Sequence, residues 1–429
     1  MTNKHHRWLS QEIDQWVTEK LLDDALGQRL KARYAVTDSG WGTLVFTAFG
    51  VTLIGLGVIL FFAYNWAEMS KAVKLLVVFI ALLSSHGSAL WVARRSPARH
   101  GLVEGLHLLG TMMFGAGIWL IAQTYHIDEH YPNALLFWSL GALGLAWAVP
   151  SLSHAFLALL LIVFWSGCEV FDFDATNHWA PLFVAIGILP IAWRARSKVL
   201  LCFTLVMFQA VFVMTVLGVD EELSIPTTFF LSVLYIIVGL LVVDTKFPES
   251  HRVFKCVGFF GYFIFLYLFS FPDGAGVLAD IENTDTIAVG YLSLLLVATA
   301  AAWFRVLVTL HTRLDWFWHW QWGFVAISAV LVAGGCFGWL YLGWVMAIPM
   351  NFIFLAHCVL FIVQGAHEAN AKLVSIACLL FSVLVVTRYV DLFESLLVRS
   401  LIFLVLGAGL FLVGTFYSRL RRRDTQVYT

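Results

Sequence analysis

Fourteen apolar runs separated by short polar loops constrain this chain more than any other feature. They fall at 41–66, 72–93, 103–124, 134–149, 153–168, 180–193, 199–218, 226–243, 254–271, 286–304, 322–338, 343–363, 373–390 and 397–417. A helix crosses the hydrocarbon core with about 20 apolar residues, and with fewer where neighbours cover it. The pattern therefore predicts an all-α fold, a polytopic transmembrane helical bundle of about 14 spans. A composition of 61% hydrophobic and 12% charged residues, with a mean hydropathy of +0.86, excludes an ordinary soluble domain.

Orientation follows from the basic residues. If the N-terminus is cytoplasmic and the spans alternate, 22 of the 26 Lys and Arg fall on the cytoplasmic side, leaving only Lys71, Lys74, Arg388 and Arg399 outside. Lys and Arg in short loops set topology whereas acids count for little, so both termini are expected in the cytoplasm. The first 40 residues are polar and lack an apolar signal region, so 41–66 is expected to direct insertion. Three parts follow: a cytoplasmic amphipathic segment (1–40), the bundle (41–417) and a basic cytoplasmic tail (418–429). Within 8–36, Ser10 is the expected N-cap, and Ile13, Trp16, Val17, Leu21, Leu22, Ala25, Leu26 and Leu30 form one apolar stripe on a helix or helical hairpin. The opening 1–7 is expected to fray.

The first and third runs look related. Setting 49–64 over 109–124 places Gly50, Gly55 and Gly57 on Gly110, Gly115 and Gly117. Small residues at this spacing let helices approach closely, which explains the likeness, and a duplicated helical pair is the alternative. Both runs end at the expected outer face in polar residues: Asn65, Trp66 and Glu68 after the first, and Gln123, Tyr125 and His126 after the third. If the two helices are neighbours, these six line one shallow ligand-binding pocket open to the outside. Trp and Tyr are common at membrane interfaces, so an ordinary solvated interface is the competing reading.

Intramembrane polar residues are few. His86 lies in Ser84-Ser85-His86-Gly87-Ser88, midway along its run, as a member of a proton path or of an inter-helix hydrogen bond. Gln209, Asn351 and His357 look isolated, and Arg388 nears an outer end. Glu104 and His107 are expected to be solvated. The near-absence of charge in mid-span argues against a pump built on buried carboxylate relays.

Known catalytic signatures are missing: there is no P-loop, GxSxG, HExxH, haem or iron–sulfur spacing, so no cofactor and no metal is implied. Asp172-Phe173-Asp174 has a form that suits Mg²⁺ or Mn²⁺, but it sits among other acids on a solvated loop. The six cysteines lack metal-binding spacing, although a Cys168–Cys336 disulfide is conceivable. A formal net charge of −1 implies no nucleic-acid partner, which leaves the lipid bilayer and other envelope membrane proteins.

The stretch GLGVILFFAYNWAEM (55–69), with AQTYHI (122–127) and the run LLFWSLGALGLAWAVPSL after Asn133, resembles the bacterial domain-of-unknown-function 2157 family of polytopic membrane proteins. The likeness is clearest over 8–165. It implies a bacterial cytoplasmic (inner) membrane location and a short cytoplasmic helical segment, with no established activity. Three functions fit these observations. The leading one is a multi-pass protein that binds or transports a small amphiphile or lipid-linked intermediate. The others are a non-transporting accessory protein and a membrane enzyme using Glu68 or His126 as a general base.

Overall fold

A computed structural model describes residues 3–33, 69–96, 98–127, 130–243, 245–278, 285–309, 316–338 and 343–392, with fragments within 45–60 and 400–412. Every regular element among the described residues is helical. The first and last of the fourteen apolar runs fall largely outside the described residues. Each of the other twelve coincides with a helix.

The chain divides into two compact units, Met1–Glu129 and His130–Thr429. The first holds α1 (Asn3–Thr18), α2 (Asp24–Arg33), α3 (Lys71–Arg95) and α4 (His100–Tyr125). Helix α1 begins seven residues before Ser10, so Ser10 lies inside a helix and is not its cap, and the opening residues from Asn3 are helical. Polar side chains within 3–7 do not oppose a helix whose later turns bury Ile13, the one stripe residue almost fully covered. Helix α2 folds back on α1. A Cβ at Gly27 would lie 2.6 Å from Val17 Cγ2, and Lys31 pairs with Asp14. Leu21 and Leu26 remain exposed, so only part of the apolar stripe is buried within this hairpin.

Helices α3 and α4 form an antiparallel pair whose contact depends on missing side chains. A Cβ at Gly117 would sit 2.6 Å from Val78 Cγ1, and one at Gly110 would meet three atoms of the His86 ring at 2.5–2.8 Å. Close packing therefore accounts for these two glycines.

The second unit holds α5 (Pro132–Ala148), α6 (Leu152–Phe173), α7 (Trp179–Arg194, with a π-helical turn at Phe183–Ile188), α8 (Lys198–Leu217), α9 (Glu221–Leu241), α10 (Ser250–Phe269), α11 (Pro272–Gly276), α12 (Thr286–Thr309), α13 (Trp316–Cys336), α14 (Gly343–His367) and α15 (Ala371–Leu392). Short polar residues start several of them. Ser151, Ser197 and Asp220 each accept the backbone N–H three residues on, satisfying a donor that the first turn would leave free.

Among the described residues, nine helices are long and apolar enough to cross a membrane, while α5 and α7 are shorter. The indoles, imidazole and amide of its opening residues 316–322 keep α13 outside that group. Helix α9 is the axis of the second unit: 83% of its apolar window is buried, against 11% for α3 and α15. It packs on α8, α10, α12 and α13. The contact with α10 is backbone to backbone, since a Cβ at Gly258 would lie 2.8 Å from Ile236 N and 2.9 Å from Ser232 O. Pro226 breaks the ladder of α9 near its start, and the hydroxyls of Thr227 and Thr228 donate to the Leu223 and Ser224 carbonyls there. Large apolar side chains such as Phe79, Leu83, Phe260, Leu294 and Phe352 face outward, which suits lipid and not water.

Candidate functional site

Of the six residues expected to line an outer pocket, Asn65, Trp66 and Glu68 lie outside the described residues. Gln123, Tyr125 and His126 are all exposed at the end of α4. The His126 backbone is left-handed (φ 55°), and its N–H and that of Ile127 both donate to the Ala122 carbonyl, the latter at 2.9 Å. This residue ends the helix in the conformation that Gly or Asn usually supplies. The Tyr125 ring lies under Lys71 Nζ, 5.2 Å from its centroid.

Deeper in the same unit, His86 on α3 meets His107 on α4, Nδ1 to Nδ1 at 3.0 Å. His107 is 4% exposed, so the expectation of a solvated residue was wrong. His107 lies about two turns into α4, which begins at His100, on the side of that helix that packs against α3. Two neutral imidazoles join in this way when one nitrogen keeps its hydrogen and the other offers a lone pair. Beside them Ser85 Oγ donates to the Leu106 carbonyl at 2.8 Å, and Thr111 Oγ1 to the His107 carbonyl at 3.0 Å.

In the second unit, the polar residues expected to be isolated are each bonded to another helix. Gln209 Nε2 donates to Ser232 Oγ at 3.0 Å, where the bare Cα of Gly261 leaves room. Asn351 Nδ2 donates to the Ser270 carbonyl at 2.7 Å, and its Oδ1 accepts from Arg388 Nε at 3.0 Å. Arg388 also reaches the Ser270 carbonyl and hydroxyl, with its guanidinium 3.9 Å from the centre of the Phe271 ring. One Arg thereby joins α10, α14 and α15.

A second cluster joins the start of α5 to the end of α6. Glu169, almost fully buried, pairs with His130 Nε2 at 2.7 Å and accepts Trp165 Nε1–H at 2.9 Å. Tyr131 donates to Asp172, and that hydrogen bond, ahead of burial, pushes the phenol above its ordinary pKa. Asp172 is thus occupied, and Asp174 ends α6 with φ 50°. Among the described residues no three His, Cys, Asp or Glu side chains come together as a metal site. Cys168 and Cys336 are free thiols, so the disulfide is not formed.

The most enclosed polar group lies between α10, α13 and α14, and sequence reading did not assemble it. His357 is wholly buried in a collar of Phe259, Tyr262, Phe263 and Phe324. Its Nδ1 is hydrogen-bonded to the Gln321 side-chain amide, and its Nε2 to the Tyr262 hydroxyl at 3.1 Å. Tyr262 touches Ser328 Oγ at 2.9 Å, and Ser328 donates to the Val325 carbonyl at 2.8 Å. Gln321 Nε2 is buried and has no partner. Three further buried atoms on α12 and α13 are also without partners: Trp322 Nε1 on α13, and Trp303 Nε1 and Thr299 Oγ1 one turn apart on α12. The Trp303 and Trp322 rings lie 6.3 Å apart. Among the described residues six buried side-chain polar atoms lack a partner, and four of them come from these two helices. One signal was legible: Gln321 is the amide in a seven-residue run otherwise made of Trp, Phe and His.

Family comparison bears on the first unit and the start of the second. Residues 14–155 match the family described as predicted membrane protein (DUF2157). The match starts within α1, covers α3, α4 and α5, and ends as α6 begins, so it includes the His86–His107 pair and stops short of the His357 group. No curated protein matches the chain. No solved structure matches it either.

Proposed function

We propose that this multi-pass membrane protein binds a small amphiphile drawn from the bilayer, with the polar part of that molecule held between α12 and α13 against the His357 group. Gln321 carries the argument, as a fully buried amide with one end unpartnered inside an apolar bundle. Leaving such a group unpaired in a lipid-like interior costs about 2–7 kcal/mol, depending on the reference state. Two indole N–H groups and a threonine hydroxyl share the need. Three of the four offer only or chiefly hydrogens, so they call for a ligand bearing acceptors, such as carbonyl, ether or ester oxygens. The surrounding Trp and Phe rings suit its apolar part. Movement of that molecule between leaflets is the activity that such binding would serve. The basic-residue count supports both termini in the cytoplasm, and the resemblance to the DUF2157 family implies a bacterial inner-membrane setting.

A shape-conserving change tests the reading. Gln321→Leu removes the amide without opening a cavity. Protein purified from native membranes should carry a tightly held amphiphile in the wild type and lose it in the variant, as measured by mass spectrometry of the solvent-extracted protein. Equal recovery from both forms would overturn the proposal.

A further inference from the structure

We infer that the amphiphile is anionic, with a phosphate headgroup seated on Lys255 at the start of α10. This deepens the binding reading above and rests on it. Lys255 lies six residues into a membrane-spanning helix, and its stem runs over Gly239 of α9, where a Cβ would come within 2.8 Å of Lys255 Cγ. That contact fixes the direction of the side chain. Its ammonium lies 3.8 Å from the centre of the Trp318 ring, a cation–π contact. No carboxylate meets it among the described residues, and the acid next to the start of α10, Glu249, is taken by Lys198. An aromatic face compensates only part of the hydration an ammonium gives up, so Lys255 is a charge seeking an anion. Phosphate is the anion that a bilayer supplies at this depth.

Trp318 links this charge to the unpartnered donors. Positions 318, 321 and 322 are separated by three and four residues, so they share one side of α13. Gln321 and Trp322 therefore lie about one 5.4 Å turn from the level of the ammonium. The glycerol backbone of a phospholipid spans a comparable distance between its phosphate and its ester carbonyls. One molecule can present the phosphate to Lys255 and the carbonyl oxygens to Gln321 and Trp322.

The test is a competition in detergent micelles read by native mass spectrometry. The full-length protein is offered equal amounts of phosphatidylglycerol and phosphate-free diacylglycerol with identical acyl chains. The wild type should retain the anionic lipid in about tenfold excess, the discrimination of one well-placed charge pair. Lys255→Met should retain lipid without preference, and Lys255→Arg should keep the preference, which separates loss of charge from loss of fold. Equal retention of both lipids by the wild type, still dependent on Gln321, would overturn the anionic assignment while leaving the binding reading intact. No lipid retained by any form would remove the binding reading and this inference with it. Displacement of phosphatidylglycerol by excess inorganic phosphate would identify a soluble phosphate as the ligand and overturn the lipid assignment.

Discussion

Replacing Gly110 with alanine isolates the packing of α3 on α4. The new Cβ would meet His86 Nε2, Cε1 and Cδ2 at 2.5, 2.6 and 2.8 Å, all closer than carbon atoms tolerate. The imidazole is a rigid ring held from the other side by His107 at 3.0 Å, so relief requires either a helix shift or loss of that hydrogen bond. Overpacking of this kind costs about 1–3 kcal/mol. An inter-helix hydrogen bond inside a membrane protein contributes about 0.6 kcal/mol on average, and up to about 1.7. The variant should therefore lose roughly 2–4 kcal/mol. Gly87 on α3 provides the control, because a Cβ there meets nothing within 4 Å. Gly87→Ala should be neutral or stabilising by up to about 1 kcal/mol, through helix propensity alone. Unfolding in graded denaturing detergent, followed by circular dichroism, would measure both. Combining Gly110→Ala with His86→Ala should remove most of the penalty, since the clashing ring is gone. If Gly110→Ala is as stable as the wild type, or if the double variant keeps the full penalty, the steric reasoning fails.

Three other outcomes follow from contacts described above. Gly258→Ala should destabilise by about 1–3 kcal/mol, because the added carbon meets the backbone of α9, which cannot rotate away; the same detergent titration reads it. Arg388→Lys should cost about 1–3 kcal/mol despite keeping the charge, because an ammonium cannot reproduce the fork that joins Asn351 to Ser270; wild-type stability of this variant would refute a role for the fork. Glu249 accepts a hydrogen bond from Lys198, which holds its carboxyl below the ordinary value. A depressed carboxylate contributes stability above its unfolded pKa and loses it as pH falls through the folded pKa. Wild type should therefore exceed Glu249→Gln in Tm at pH 7, and the two should converge in acid. A difference that persists in acid would show that the ion pair is not its source.

Legibility differed between helices and sites for a physical reason. An apolar run is a local property, so twelve of the fourteen runs could be placed as helices from sequence alone, and glycine spacing in the third run pointed to the close approach that Gly110 and Gly117 make. Partners are a tertiary property. Gln209, Asn351 and His357 looked isolated because Ser232, Ser270 and Gln321 lie 23, 81 and 36 residues away. His107 was misplaced because a polar residue near a helix start usually meets water, and only the packing of α3 reveals its partner. Ser10 misled in the opposite sense. It has the chemistry of a cap, but α1 continues through it because the seven preceding residues also accept helical geometry. The outer pocket was built from residues of two runs assumed to be neighbours, and half of it lies outside the described residues.

A structure determined by electron cryomicroscopy in nanodiscs formed directly from native membranes would test the central claim most directly. The account predicts elongated non-protein density between α12 and α13, with an acceptor atom within hydrogen-bonding distance of the Gln321 amide and the Trp322 indole nitrogen. Protein groups filling those positions, or isolated water-sized peaks there with no extended density, would contradict it.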